Sequence, residues 1–148
     1  MKYVTGMQAL NIQCPLDTTG DWHPFTTNWD NLHFQESDDN PLKDFGIYKT
    51  KIPLRKDDKE YFVADHIRAC LDMLQNGDYF QPEGMRKDYL DDDPKFDKLV
   101  FPQVVKLSEL DNFDKIVQFF EREYKARWFR FAKSQGGIYE LEKTSEDD

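Results

Sequence analysis

Residues 111–133 read DNFDKIVQFFEREYKARWFRFAK, and the spacing of their large apolar side chains decides the C-terminal half of the fold. Phe113, Ile116, Val117, Phe120, Tyr124, Trp128 and Phe131 fall on one stripe at 100° per residue, the pattern of an amphipathic helix with one buried face. Asp111 is placed to cap its start and Asp114 to meet the positive end of the helix dipole. Continuous to Lys133, such a helix is about 33 Å long at ~1.5 Å per residue. Gly136 and Gly137 end it, residues 138–141 read as a short edge strand, and residues 144–148 read as an acidic flexible tail.

Working upstream, residues 59–75 give a second helix. Phe62, Val63, His66, Ile67, Cys70, Met73 and Leu74 share a broad face, while Asp65, Arg68, Asp72 and Gln75 project the other way, toward water. Asp57 or Asp58 is the expected cap and Asn76-Gly77 the stop. Between the helices, residues 82–86 read as a turn into a short helix that ends at the Asp91-Asp92-Asp93 triplet and Pro94. Residues 96–107 fit either a short strand or a helix around Pro102. The first half is rich in turn formers and short alternating runs. Residues 3–5, 9–12, 32–35 and 46–54 are strand candidates, and residues 14–31 form a loop ordered by its own aromatics. The expected fold class is therefore α+β: a single domain over residues 1–143, its β- and loop-rich N-terminal half packed on two main α-helices.

Composition bounds the function. The chain has 148 residues, 33% of them charged, and a formal net charge of −9. Bulk binding to nucleic acid or anionic lipid needs a positive surface, so both are disfavoured. No apolar run approaches the ~18 residues of a membrane-spanning helix, so no membrane partner is expected. The first residues lack the apolar core of a signal peptide. Cys14 and Cys70 make no disulfide framework, and a reduced, cytoplasmic setting is the expectation.

Three groups of residues have the chemistry of a site. Gly20-Asp21-Trp22-His23-Pro24 places an acid and an imidazole two apart in a tight turn, suited to acid–base or ligand work. Asp21, Trp22 and His23, with Arg86 and Arg127, are the candidate lining of a small-molecule pocket. The plainer reading of that string has Trp22 plugging a gap in the core while Asp21 and His23 tie the loop to backbone. His66 and Cys70, spaced i, i+4, have the separation of two zinc ligands, with Cys14 and His23 as a completing pair. Their face is the apolar one, however, and no second close pair exists, so no metal is expected. Asp65 beside His66 faces away from it and cannot orient the ring. Neither a serine nucleophile elbow nor a phosphate-binding glycine loop is present, so no cofactor and no catalytic residue is assigned. The third group is the last helix. Arg122, Lys125, Arg130 and Lys133 lie off the apolar stripe with Phe119 and Phe129 among them, a mixture suited to a protein, nucleic-acid or nucleotide contact. Arg127 instead points into the stripe, paired internally or reaching for its edge.

Five strings occur together: Tyr3-Val4-Thr5-Gly6, Ala9-Leu10-Asn11 with Cys14-Pro15-Leu16, Gly20-Asp21-Trp22-His23, Ala64-Asp65-His66-Ile67-Arg68-Ala69 and Gly84-Met85-Arg86-Lys87-Asp88-Tyr89. As a set they resemble a family of small, mostly uncharacterised bacterial proteins over almost the whole chain. The resemblance implies a place in mobile-element and defence loci, as the antitoxin-type partner of a nucleotidyltransferase-like toxin, and it carries no catalytic residues. An acidic surface suits such a role, because it complements a basic active site and speeds encounter. Asp91, Asp92 and Asp93 are candidate contacts. The expected function is thus a non-enzymatic interaction protein, an antitoxin-like partner. The alternative is a small enzyme or ligand-binding domain built around Asp21, His23, Arg86 and Arg127.

Overall fold

The computed structural model describes residues 1–136; the strand expected at 138–141 and the tail at 144–148 lie outside them. The fold is α+β, as the sequence indicates. Four short strands, β1 (Lys2–Val4), β2 (Phe34–Glu36), β3 (Ile47–Lys51) and β4 (Glu60–Ala64), form one sheet in the order β2-β1-β4-β3. β1 and β4 run parallel in its centre, while β2 and β3 close the edges antiparallel. Each central strand runs into a helix: α1 (Gly6–Leu10) follows β1 and α2 (His66–Gln75) follows β4. The two helices therefore start at the same end of the sheet, the end where parallel strands commonly present loops to a ligand. The C-terminal half adds α3 (Asp97–Val105), α4 (Phe113–Tyr124) and α5 (Ala126–Ser134).

Residues 60–64 correct the sequence reading. They were expected as the first turn of a helix, and residues 9–12 as a strand; instead 60–64 form β4 and Ala9 and Leu10 belong to α1. A short apolar run such as Tyr61-Phe62-Val63-Ala64 fits either period, and pairing with both Val4 and Tyr48 settles Val63 in the sheet. The cap of α2 is consequently Asp65, not Asp57 or Asp58: its carboxylate accepts from Arg68 N at 2.8 Å. Asp65 is buried rather than turned to water, and burial raises its carboxyl to about 6 against the pull of the Arg68 backbone N–H.

Arg68 and Asp72 depart furthest from expectation. Both were assigned to the solvent side of the helix, yet they are 0% and 1% exposed. Arg68 Nε meets Asp72 Oδ1 at 2.9 Å, and the other Asp72 oxygen accepts from Tyr3 Oη at 2.6 Å and Thr5 Oγ1 at 2.7 Å. The remaining guanidinium nitrogens donate to the carbonyls of Lys43 and Phe45 and to Tyr3 Oη. Burial, reinforced by the Asp72 carboxylate, pushes the Tyr3 hydroxyl well above its ordinary value, so it stays a donor. One buried ion pair thus ties the first strand, the central helix and the loop before β3.

The long C-terminal helix is two helices. Lys125 sits at φ 53°, ψ −125°, and serves as the C-cap of α4 and the N-cap of α5. The break lets both halves of the apolar stripe close on one ring. Phe101 of α3 has Phe120, Tyr124, Trp128 and Phe131 around it, with centroids 4.9 to 6.3 Å away. A non-glycine residue in that backbone region costs about 1 to 3 kcal/mol, which the aromatic packing offsets. Lys125→Gly is accordingly expected to raise the unfolding free energy by about 1 kcal/mol. A denaturant titration showing no gain or a loss would mean that the bend is unstrained.

Candidate functional site

The Gly20-to-Thr27 loop crosses the start of α2 and the end of α1. Asp21 N donates to Leu10 O at 2.9 Å and Gly20 N to Tyr89 O at 3.2 Å. Asn11, just past α1, holds the loop from below: its Oδ1 accepts from His23 N at 2.6 Å, and its Nδ2 donates to Asp21 Oδ2 at 3.1 Å. Trp29, itself buried, donates from its indole to Pro24 O at 2.8 Å. The backbone is therefore fixed at four points. Asp21 and His23 do form the expected pair, Oδ2 to Nδ1 at 3.2 Å, with the imidazole largely in solvent.

The side chains of the loop's aromatics point outward. Trp22 is 77% exposed and Phe25 88%. Trp22 fills no gap in the core, contrary to the plainer sequence reading. It also sits at φ 61°, a left-handed conformation in which a bulky residue is a true outlier. Strain that holds a large apolar side chain out in water has no benefit to the folded monomer, and such outliers concentrate at binding sites.

Beside Trp22 lies a cleft of about 290 Å³ whose walls include Ile12, Gln13, Asp17, Thr18, Thr19 and Pro24. Beneath the Thr18 wall runs a buried relay. His66 Nε2 donates to Ile12 O at 2.8 Å, Nδ1 lies 2.7 Å from Thr18 Oγ1, and Thr18 Oγ1 lies 3.7 Å from Cys14 Sγ. Burial raises the Cys14 thiol and the imidazole lowers it, leaving it below its ordinary value. For His66, burial lowers and Cys14 raises, and the balance lies above the usual imidazole value. Each polar atom of the relay has a partner, and of its three residues only Thr18 reaches the cleft wall. Cys14 and Cys70 are both free; Cys70 is fully buried, and burial raises its thiol. Among the described residues no group of three or more His, Cys, Asp or Glu is arranged to hold a metal ion.

Comparison with protein-family models, curated proteins and solved structures finds no match. The functional reading therefore rests on geometry.

Arg86 and Arg127 do not join the Trp22 cleft. Both pair with Asp92: Arg127 at 3.1 Å, and Arg86 in a closer contact. Arg127 also clasps Asp97 with two bonds of 2.7 and 2.5 Å, and Arg86 Nε donates to Glu123 O at 3.1 Å. Arg127 is thus paired internally, one of the two outcomes foreseen. The Asp91-Asp92-Asp93 triplet is likewise engaged within the molecule. Asp91 accepts from Thr19 N, Asp92 joins the two arginines, and Asp93 accepts from Lys95 N at 3.0 Å to cap a single helical turn.

The last helices divide their expected contact residues. Phe119 is 2% exposed and stacks edge-on against Phe120, so it belongs to the core. Arg122, Lys125, Phe129, Arg130 and Lys133 are all exposed. Apart from Glu121, no Asp or Glu of the described residues pairs with these four cations. Sequence reading did not single out Asp17, Thr18, Thr19 or Phe25. The available signal was their position on either side of Gly20-Asp21-Trp22-His23, in a loop whose walls only the fold brings together. No helix of the described residues is long and apolar enough to cross a membrane.

Proposed function

We propose that the protein works by binding another protein through the Trp22–Phe25 loop, as a non-enzymatic partner. An antitoxin-like role against a nucleotidyltransferase-type toxin is its most concrete form. The observation that carries this reading is Trp22: an exposed indole on a backbone that is both pinned and strained. Interfaces take most of their energy from a few large aromatics presented on rigid supports, surrounded by contacts that exclude water. Phe25, three residues along the same loop and 88% exposed, adds a second outward aromatic. The net charge of −9 favours a basic partner and would speed encounter with it. The five strings resemble those of the bacterial family named above, and the antitoxin role which that resemblance implies calls for such a partner. The exposed cations of α4 and α5 offer a second surface for a localised anionic contact.

The test is a complex reconstituted from purified components, after capture from the native host and identification of what is bound. Trp22→Ala with Phe25→Ala is expected to weaken that complex by about 2 kcal/mol or more, roughly thirtyfold, with the melting temperature unchanged. Co-expression with a toxin-like neighbouring gene should restore growth with the wild-type chain and not with the double variant. A complex that holds equally well without both aromatics would overturn the loop as the contact.

A further inference from the structure

We propose that the cleft beside Trp22 receives an arginine side chain of the protein partner, its guanidinium paired with Asp17 and stacked on the indole. The proposal rests on the reading of the Trp22–Phe25 loop as a protein contact and specifies what enters there.

Asp17 supplies the charge. It lies on the cleft wall, is exposed, and its carboxylate has a single weak partner, Gln13 Nε2 at 3.3 Å. No Lys, Arg or His of the described residues lies within ion-pair reach of it. The other carboxylates of this region are occupied: Asp21 by Asn11 and His23, and Asp91 by the Thr19 backbone N–H. The Asp17 backbone is also fixed, at φ 58° with its N–H on Cys14 O at 3.0 Å. An exposed carboxylate on a pinned turn at the cleft wall, without a cation of its own, is a half-made ion pair.

Trp22 selects the shape. An indole face attracts a cation, and a guanidinium does so best while its edge remains free to bond a carboxylate, because it is planar and carries its donors in the plane. A lysine ammonium, compact and strongly hydrated, cannot lie flat on the ring and fork to Asp17 together. Pro24, on the cleft wall, offers apolar surface to the methylenes of an arginine stem. No Lys or Arg among the described residues lines the cleft, so an anionic group would meet Asp17 without compensation.

The probe is N-acetyl-arginine amide, titrated into the folded chain while backbone and indole N–H resonances are followed, with the lysine and citrulline amides as comparisons. Citrulline keeps the planar shape and lacks the charge. The arginine amide is expected to move the Trp22 indole and the Asp17 to Thr19 amides saturably, with a dissociation constant on the order of millimolar. Citrulline should bind at least about tenfold more weakly, and Asp17→Asn should cut the difference to the roughly few-fold preference that the indole face alone gives a cation. Equal response to arginine and citrulline, shifts confined to other regions, or no saturable shift would each overturn the proposal. The reconstituted complex separates this inference from the one beneath it. If Trp22→Ala with Phe25→Ala breaks the complex while Asp17→Asn leaves it as tight as wild type, the loop contact stands and the arginine pairing falls. If the aromatic variant leaves the complex intact, both fall.

Discussion

Asp72→Ala is expected to destabilise the protein by about 3 to 5 kcal/mol, read as a lower denaturant midpoint at unchanged slope. The substitution leaves the Arg68 guanidinium at 0% exposure without its carboxylate, and strips Tyr3 Oη and Thr5 Oγ1 of their shared acceptor. Three donors, one of them charged, are then stranded where water cannot reach. The loss is large because an uncompensated buried charge is costly, and not because the pair is worth that much against an apolar alternative. That distinction is measurable. Replacing both members, Arg68→Met with Asp72→Leu, should cost less than the sum of the two single replacements by about 2 kcal/mol or more. Arg68→Lys should fare poorly despite its charge, since one ammonium cannot reach Asp72, Tyr3 and the carbonyls of Lys43 and Phe45 at once. Additive costs from the two single replacements would show that the groups do not act as a unit.

The same pair marks where sequence reading stops. Hydrophobic periodicity assigns charged residues to water, and on that rule Asp65, Arg68 and Asp72 went to the outer face of α2. The rule holds for a helix with one wet side. Here every residue from His66 to Leu74 is buried, because the helix is enclosed by the sheet, α1 and the loops around it, so its polar residues had to pair inside. The pairing partners, Tyr3 and Thr5, lie more than sixty positions away in the chain, beyond any local pattern. By contrast, the stripe from Phe113 to Phe131 was fully legible, since each of its residues follows from spacing alone. Only its break at Lys125 was not: a lysine carries no signal for a left-handed backbone, and the bend is imposed by closure around Phe101. At the candidate site, the loop and its acid–imidazole pair were legible from Gly20-Asp21-Trp22-His23. The outward direction of Trp22 was not, because it depends on Asn11, Leu10 and Tyr89 holding the backbone from beneath. Arg86 and Arg127 were grouped with that loop on charge alone, and Asp92 claims them instead.

Gly20→Ala should lower stability by about 2 to 4 kcal/mol and weaken partner binding together, whereas Trp22→Ala should affect binding alone. Gly20 sits at φ +68°, and a methyl group there would stand 2.2 Å from Leu10 O and 2.7 Å from His66 Cε1. Neither neighbour can give way cheaply. Leu10 O is the acceptor for Asp21 N, and the His66 ring is held at both nitrogens, by Thr18 and by Ile12 O. The strain must therefore pass into the loop that carries Trp22, or into Thr18 on the cleft wall. Gly77 provides the comparison, with φ +83° and nothing within 4 Å of an added methyl. Gly77→Ala pays only for the left-handed backbone, about 1 kcal/mol, and should leave binding untouched. The difference between the two substitutions measures how tightly the loop is seated on His66. If Gly20→Ala cost no more than Gly77→Ala, the loop would be loosely draped, and Trp22 would be an exposed aromatic without a fixed direction. A cost well above that of Gly77→Ala, with binding lost alongside, ties the buried Cys14–Thr18–His66 relay to the surface that meets the partner.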